Sequence, residues 1–260
     1  MYFDSHAHYD DEKFNDVRDD LLTSMNERTA PFVHGIINIG ADIKSSIDSI
    51  ELADKYSYIY AMVGVHPHNV STMSKNDIEA LRKMAEHKKV LGIGEIGLDY
   101  YYDLSPHEEQ RYWFKRQLAL AVELDLPVAI HSRDATNETF NIIKESSVRK
   151  GVIHAFSGSA DYAKQYVELG FNIGIGGIIT FKNARKLVEV VEAIPLERIF
   201  VETDSPYLSP EPVRGTINNS QNLEYICNKI GEIKQISGEK VAEITANNVE
   251  ALFGIKKVVA

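Results

Sequence analysis

The sequence predicts an α/β fold, a TIM (β/α)₈ barrel with extra C-terminal helices, on three observations. Eight apolar runs alternate with helical stretches, and most of the runs lack polar alternation, as is typical of strands buried on both faces of a parallel sheet. The length of 260 residues also suits one such barrel, which takes about 250 residues. A doubly wound open sheet is the alternative, but eight units at this length favour the barrel.

The predicted elements follow one another along the whole chain. The strands are 2–8, 35–40, 59–65, 90–98, 128–131, 152–156, 171–175 and 199–203. Amphipathic helices are predicted at 42–56, 75–87, 106–124, 134–144, 160–169 and 184–193, and two more, at 223–236 and 238–253, follow an irregular stretch rich in proline. Ser105 is expected to cap the helix that begins at Pro106. No composition shift marks a second domain, so we predict one domain over residues 1–260.

Composition narrows the functional classes. The net charge of −10 argues against broad electrostatic capture of nucleic acid, but leaves room for a nucleic-acid substrate held through cations and a few basic residues. The single cysteine, Cys227, excludes an intramolecular disulfide and suits a reducing compartment. No apolar run approaches the length of a membrane span, and the N-terminus does not read as a signal peptide. We therefore expect a cytoplasmic protein without membrane association or an evident obligate protein partner.

Histidines and acids collect at the predicted carboxyl ends of the strands, where barrels of this type carry their chemistry. In Asp4-Ser5-His6-Ala7-His8 the two histidines face one side of a strand, with Cα atoms roughly 6.6 Å apart. The further candidates at this edge are His66, Glu95, His131, His154 and Asp204. Burying a carboxylate in an apolar strand costs free energy unless the carboxylate is paired or binds a cation, so Glu95 and Asp204 are strong candidates for cation binding.

Barrel closure makes the last strand a neighbour of the first and predicts how these residues divide. His6, His8 and Asp204 are expected to share one cation, His131 and His154 a second, and Glu95 to bridge the two. Nitrogen and oxygen donors without a thiol suit Zn²⁺, Mn²⁺, Ni²⁺, Fe²⁺ or Mg²⁺. A single histidine of this kind is more often a hydrogen-bonded core residue, but six such residues at five strand ends indicate a metal site.

Other polar residues near this edge suggest substrate contacts. His66 has the right position, but the ligand set is complete without it, so we favour contact with a substrate phosphate over a role as a further metal ligand. Arg133, just past His131, is a candidate phosphate ligand or the partner of a nearby acid. The stretch Gly174-Ile175-Gly176-Gly177 resembles the phosphate sites of barrels, although glycines also serve simply to let backbones approach.

Six motifs, in order, resemble the TatD family of metal-dependent deoxyribonucleases, and the resemblance covers essentially the whole chain. They are Phe3-Asp4-Ser5-His6-Ala7-His8, Gly64-Val65-His66-Pro67-His68, Gly94-Glu95-Ile96-Gly97-Leu98-Asp99-Tyr100, Ile130-His131-Ser132-Arg133, His154-Ala155-Phe156-Ser157-Gly158 and Glu202-Thr203-Asp204-Ser205-Pro206. The resemblance implies a hydrolase in which two divalent ions, held by the same six ligands, cleave phosphodiester bonds in DNA. It also extends to Val213-Arg214-Gly215, which implies a phosphate contact for Arg214. After that point the family usually has another basic residue, and here the chain reads Thr216-Ile217-Asn218-Asn219-Ser220, which removes a positive charge.

The resulting hypothesis is metal-assisted hydrolysis of single-stranded DNA or chain ends, with Asp204 orienting and deprotonating water beside Glu95. One alternative is an amidohydrolase acting on a small cyclic amide or amine. Such enzymes often bridge their ions with a modified lysine at the end of the fourth strand, and this chain has Glu95 there. A second alternative is a metal-dependent binding protein without catalysis, against which the complete ligand set argues.

Overall fold

The computed structural model describes residues 1–27 and 31–255 and contains one parallel sheet of eight strands that neighbour one another in chain order. The strands are β1 (Tyr2–Ala7), β2 (Val33–Ile39), β3 (Ile59–Val63), β4 (Val90–Asp99), β5 (Val128–Arg133), β6 (Gly151–Ile153), β7 (Phe171–Ile175) and β8 (Ile199–Val201). The helices are α1 (Arg18–Met25), α2 (Ile43–Lys55), α3 (Lys75–Met84), α4 (His107–Glu123), α5 (Thr136–Glu145), α6 (Ala160–Glu168), α7 (Arg185–Ala193), α8 (Leu223–Lys234) and α9 (Gly238–Phe253). The predicted (β/α)₈ barrel with additional C-terminal helices is confirmed.

The barrel closes between β1 and the segment that follows β8. Ala7 pairs in parallel with Ser205, the His8 amide donates to the Ser205 carbonyl at 2.8 Å, and the Asp204 amide donates to the His6 carbonyl at 2.9 Å. This seam lies at the carboxyl end of both strands. Its backbone hydrogen bonds therefore hold two of the predicted ligand-bearing segments directly against each other.

A buried carboxylate reinforces the same seam from below. Asp4 Oδ1 accepts the Thr203 amide hydrogen at 3.0 Å, and its Oδ2 accepts hydroxyl hydrogens from Thr203 and Ser220, both at 2.6 Å. Burial raises the pKa of Asp4 to about 6, although these hydrogen bonds oppose the rise. Asp4 thus links the first strand to the last strand and to the segment before α8.

Apolar side chains fill the barrel and cover its N-terminal end. One buried cluster joins residues of six different strands to α9: Phe3, Ile37, Ile39, Met62, Ala129, Val152, Phe200, Ala246 and Val249. Side chains from strands on opposite sides of a barrel meet only through its interior, so this cluster is the filling of the barrel. Because α9 joins it and also packs on β1 and β8, the opposite, carboxyl end is left for chemistry.

Local sequence explains most element boundaries. Asp42 and Ser45 form a reciprocal capping box at the start of α2, and Ser237 caps α9, which ends at Gly254 with φ of 65°. The expectation that Ser105 caps α4 is wrong, because its hydroxyl donates to the His68 carbonyl at 2.9 Å instead. Helix α1 is absent from the predicted elements, since Arg18–Met25 buries only Leu22 and Met25 and shows little apolar periodicity.

Within residues 1–27 and 31–255, no helix combines the length and apolar character needed to cross a membrane. The predicted single domain of residues 1–260 includes residues 28–30 and 256–260, which lie outside the described ranges, and it stays a prediction.

Candidate metal centre

The two histidines of the first motif turn their ring nitrogens toward each other at the carboxyl end of β1. His6 Nε2 and His8 Nε2 are 3.2 Å apart. His8 Nδ1 lies 2.8 Å from the Ile39 carbonyl oxygen, which can only accept, so Nδ1 carries the proton in this contact. In the neutral ring, Nε2 of His8 is therefore the atom that can bind a metal, as in a metal-ligating histidine whose other nitrogen is held by a carbonyl.

Asp204 and His154 approach the same two nitrogens from the other side of the seam. Asp204 Oδ1 is 3.4 Å from His8 Nε2, 3.6 Å from His154 Nε2 and 3.8 Å from His6 Nε2. The rings of His6 and His154 stack, with centroids 3.4 Å apart. Three imidazole nitrogens and one carboxylate oxygen thus face a common space, and His6, His8 and Asp204 form a group with metal-ligand spacing.

Glu95 lies between two sets of histidines. Its Oε2 is 3.4 Å from His6 Nε2 and 3.7 Å from His8 Nε2, and its Oε1 is 2.8 Å from His131 Nδ1 and 3.6 Å from His66 Nε2. The side chain is almost fully buried. Oε2 therefore faces His6 and His8, whereas Oε1 faces His131 and His66. Oε1 also lies 3.9 Å from His154 Nε2, and a carboxylate whose two oxygens face different nitrogens in this way can bridge two cations.

The six predicted ligands gather at one mouth, but their grouping differs from the expected pairing of His131 with His154. In the part of the chain that the structure describes, the groups with ligand spacing are His6, Glu95 and His154; His6, His8 and Asp204; and His66, Glu95 and His131. The rings of His131 and His154 are 6.5 Å apart. His154 therefore lies on the side of His6, while His66 takes the place beside His131.

Two buried acids that the sequence analysis did not select as site residues orient these histidines. Asp99 Oδ2 accepts from His131 Nε2 and from His68 Nε2, both at 2.9 Å. Glu202 Oε1 lies 3.0 Å from His154 Nδ1 and accepts the Ala155 amide hydrogen at 2.6 Å. Such carboxylate–histidine contacts fix the ring and its tautomer. The signal was present, because both acids interrupt apolar strands in the same way as Glu95.

The glycine-rich stretch makes room for one of these acids. A Cβ on Gly174 would lie 2.5 Å from Glu202 Oε2, so any side chain there would displace the carboxylate. A Cβ on Gly177 would lie 2.2 Å from the Leu208 carbonyl oxygen. Close approach therefore accounts for glycine at these two positions.

The two predicted phosphate-binding arginines lie outside the cluster. The Arg133 guanidinium carbon is 4.0 Å from the centre of the Tyr101 ring and 4.6 Å from that of Tyr102. The Arg214 guanidinium covers Phe181 at 4.3 Å and comes within 3.9 Å of Glu211. Neither arginine forms part of the ligand groups, and each rests on an aromatic ring.

Burial and charge shift the pKa values within the cluster in opposite directions. Burial lowers the pKa of His66 well below its usual value, and burial together with the His154 charge lowers that of His6. Burial would raise the pKa of Glu95, but the surrounding histidines hold it well below the usual range. Burial would also lower the pKa values of His8 and His154, but Asp204 beside His8 and Glu202 beside His154 raise them to about 9 and about 10. Histidines with lowered and with raised pKa values therefore surround an ionised carboxylate in one buried space.

This donor set fits a divalent cation. The Nε2 atoms of His6 and His8 face each other, and His6 Nδ1 is a buried atom without a hydrogen-bond partner in the described residues. Nitrogen donors and ionised carboxylates converge in the combination preferred by borderline divalent metals. Two carboxylates also balance the charge that a buried cation introduces.

Comparisons with known proteins identify the family of this chain. A family model described as TatD related DNase matches residues 3–254. The chain is 38% identical over 257 residues to the metal-dependent hydrolase YabD of Bacillus subtilis, covering 98% of this chain and all of that protein. It is 34% identical over 232 residues to a protein of Pantoea ananatis named 3′-5′ ssDNA/RNA exonuclease TatD, covering 86% and 89% of the two chains.

Among solved structures, the chain resembles the crystal structure of YjjV, a TatD homologue of Escherichia coli K12. The TM-score is 0.91 at 31% identity, over 98% of both chains. A family match that runs through nearly all of the sequence, with relatives at this level of identity, shows that the chain belongs to the TatD family of metal-dependent hydrolases.

Proposed function

We propose that this chain is a nuclease that hydrolyses phosphodiester bonds of single-stranded DNA, acting at or near chain ends. The observation that carries the proposal is Glu95, whose two oxygens face separate histidine clusters, since a bridging carboxylate belongs to the two-metal arrangement used for phosphate ester hydrolysis. The relative from Pantoea ananatis bears the name of a single-stranded DNA and RNA exonuclease, which supports this substrate class.

The groups with metal-ligand spacing contain seven residues, and six of them are proposed to hold two divalent ions: His6, His8, Glu95, His131, His154 and Asp204; the seventh is His66. Such ions supply Lewis-acid stabilisation of charge on the phosphoryl oxygens and activation of water at neutral pH. The protein fixes the positions of these groups through the contacts of Asp99, Glu202 and the Ile39 carbonyl with the outer ring nitrogens.

Asp204 is the carboxylate best placed to accept the proton of the attacking water. Its side chain is 18% exposed, against 5% for Glu95, so it reaches the open side of the cluster. The histidines around it hold its pKa below the usual value against the opposing effect of burial, so it is ionised at neutral pH. An ionised carboxylate at the mouth can orient water and take its proton.

His66 is proposed to donate to a substrate phosphate. Its Nδ1 accepts the His68 amide hydrogen at 3.2 Å, so in the neutral ring Nε2 carries the proton. A protonated Nε2 donates hydrogen bonds and does not ligate a metal, which separates His66 from the six proposed ligands. Arg133 and Arg214 are proposed to contact flanking parts of the substrate.

The decisive experiment is metal analysis of the purified protein combined with assays across Zn²⁺, Mn²⁺, Ni²⁺, Fe²⁺ and Mg²⁺. Substrates are single-stranded DNA, RNA, duplex DNA, an aryl phosphodiester and a panel of cyclic amides. Cleavage of single-stranded DNA that a chelator abolishes supports the proposal. Turnover of cyclic amides alone would identify an amidohydrolase, and DNA binding without cleavage by any metal-loaded form would identify a binding protein.

We also propose a cytoplasmic location, which suits the single cysteine. Cys227 is a buried, free thiol, a state that persists in a reducing compartment.

A further inference from the structure

Two exposed tyrosines stand at the edge of the metal centre, in the loop after β4. Tyr101 is 58% exposed and Tyr102 is 53% exposed, and the Arg133 guanidinium packs over both rings. The Tyr102 ring is 5.3 Å from the His68 ring, which in turn is 4.2 Å from the ring of His66. The His68 ring therefore lies between Tyr102 and His66, the histidine proposed to bind phosphate.

The loop holds these rings in place even though they face solvent. Asp99 Oδ1 accepts the amide hydrogens of Tyr101 at 3.0 Å and Tyr102 at 2.9 Å, while its other oxygen accepts from His68 and His131. One carboxylate thus holds the rings of His68 and His131 as well as the backbone of both tyrosines. Aromatic surface that is exposed and already positioned loses little conformational entropy when a ligand binds.

Arg133 is available to a ligand. Among residues 1–27 and 31–255, no carboxylate lies within ion-pair distance of its guanidinium. A planar cation over aromatic rings can stack on a base or pair with a phosphate, whereas an arginine committed to a carboxylate can do neither freely.

The charge of the chain makes stacking the more effective route to affinity. At a net charge of −10, phosphate neutralisation supplies little binding energy, and the loop after Arg214 has no basic residue through Ser220. Its Asn218 is buried and donates to the carbonyls of Thr203 and Tyr207. Base stacking on aromatic side chains needs no net positive surface and accepts every base.

We propose that Tyr101, Tyr102 and Arg133 form a base-stacking subsite that receives an unpaired nucleobase of the substrate strand beside the metal centre. This inference rests on the proposed nuclease function and names how that function selects its substrate. Bases inside a duplex have no free face to stack, so the subsite selects single-stranded substrate. In this subsite, Arg133 contacts both the base and the phosphate next to it.

The test compares metal-loaded wild-type protein with Tyr102→Ala, Tyr101→Ala/Tyr102→Ala and Tyr102→Phe. The matched control is Tyr112→Ala, a tyrosine of 50% exposure on α4. For single-stranded DNA, the alanine variants should raise KM about tenfold or more, because stacking contributes roughly 1–3 kcal/mol per base. Tyr102→Phe and Tyr112→Ala should retain the wild-type KM, and all variants should hydrolyse a base-free alkyl phosphodiester like the wild type.

A binding assay separates this inference from the proposed function. A short oligonucleotide with a fluorescent 2-aminopurine near its end is titrated onto metal-loaded Asp204→Asn protein with and without Tyr102→Ala. We expect binding to quench the 2-aminopurine fluorescence, and we expect Tyr102→Ala to lower the affinity about tenfold. This loss should disappear when the base that stacks on the tyrosines is replaced by an abasic site. If no metal-loaded form cleaves DNA but this loss is seen, the nuclease proposal fails and the subsite stands.

Equal affinity of both proteins for the base-containing oligonucleotide would overturn the subsite, whatever the cleavage activity. So would an equal loss for the abasic oligonucleotide, which would indicate a phosphate contact alone. If the double alanine variant changes only the oligomeric state in light scattering, the tyrosines form a protein interface and the inference is wrong.

Discussion

His6 Nε2 and His8 Nε2 lie 3.2 Å apart, because the Ile39 carbonyl that accepts from His8 Nδ1 turns the other ring nitrogen of His8 toward its neighbour. Two imidazoles in this relationship repel unless a proton or a cation lies between them. The short first strand therefore supplies two neighbouring side chains of the proposed metal centre.

Divalent metal should therefore stabilise the fold. A metal at a hundredfold excess over its Kd adds about 2.7 kcal/mol to the free energy of unfolding, which for a protein of this size raises Tm by roughly 5–10 °C. We expect this rise in differential scanning fluorimetry on adding Zn²⁺ or Mn²⁺ to chelator-treated protein. His8→Ala should lose most of this metal-induced rise in Tm, whereas His87→Ala, at a residue outside the cluster, should retain it. No change in Tm for the wild type with any of the metals would contradict the assigned centre.

Replacing Asp204 by asparagine should remove turnover and leave the fold intact. Asp204 has φ of 57°, a left-handed conformation that asparagine also accepts, so the backbone is undisturbed. Loss of a general base costs typically 10²–10⁴-fold, and we expect kcat on an aryl phosphodiester to fall by about that factor. The matched control is Asp125→Asn, an aspartate with φ of 52° whose partner is Lys150. Wild-type kcat in Asp204→Asn would remove this residue from the proposed role.

Gly174→Ala should weaken the metal centre without touching a ligand. The new methyl group would meet Glu202 Oε2 at 2.5 Å and displace the carboxylate from His154. We expect a loss of about 1–3 kcal/mol in the free energy of unfolding and a metal affinity lower by about 10–100-fold. Urea unfolding and competition with a fluorescent chelator measure the two effects. In Gly176→Ala, whose Cβ would lie 3.6 Å from its nearest neighbour, both quantities should stay near wild type. Equal behaviour of the two variants would argue against a positioning role for Glu202.

His34 should make stability depend on pH at the opposite end of the barrel. Burial lowers its pKa, and the Glu250 carboxylate at 3.2 Å opposes this, while the N-terminal amine adds to it. With a folded pKa below the unfolded value of about 6.5, the unfolded chain binds the proton first. The contribution of His34 is therefore complete above pH 6.5 and is lost as the pH falls below it.

Urea midpoints measured between neutral and mildly acidic pH test this expectation. The midpoint of His34→Gln should fall less on acidification than that of the wild type, whereas His107→Gln, an exposed histidine, should follow the wild type. Parallel profiles for wild type and His34→Gln would show that His34 does not titrate differently in the two states.

The barrel was predictable from sequence because its strands are buried on both faces. Runs such as Phe171–Ile175 are apolar throughout, and the structure places that strand at the predicted residues. Boundaries at the active end were less predictable. Strand β6 ends at Ile153 and β8 at Val201, earlier than expected, because Ala155 and Asp204 adopt positive φ and turn the chain toward the cluster. These departures from strand geometry come from tertiary contacts that periodicity does not encode.

The meeting of these side chains at one mouth of the barrel was predictable, and their grouping by distance was not. Strand alternation predicts that His6 and His8 lie side by side, and closure of the barrel predicts that Asp204 joins them. The position of His154 beside His6 depends on Glu202, whose carboxylate needs the space at Gly174. The sequence does not reveal that Gly174 and Glu202 are neighbours in the fold. Asp99 shares its strand with Glu95, and its contacts with His68 and His131 depend on tertiary packing that sequence spacing does not encode.

The seam between His6 and Asp204 has a consequence for biosynthesis. The His6 carbonyl accepts from the Asp204 amide, and the Ser220 hydroxyl that donates to Asp4 lies 216 residues further along the chain. A nascent chain that still lacks Asp204 therefore has neither a closed barrel nor the last of the six proposed metal ligands. The same residues complete the architecture and the proposed metal centre, so both are finished in one step.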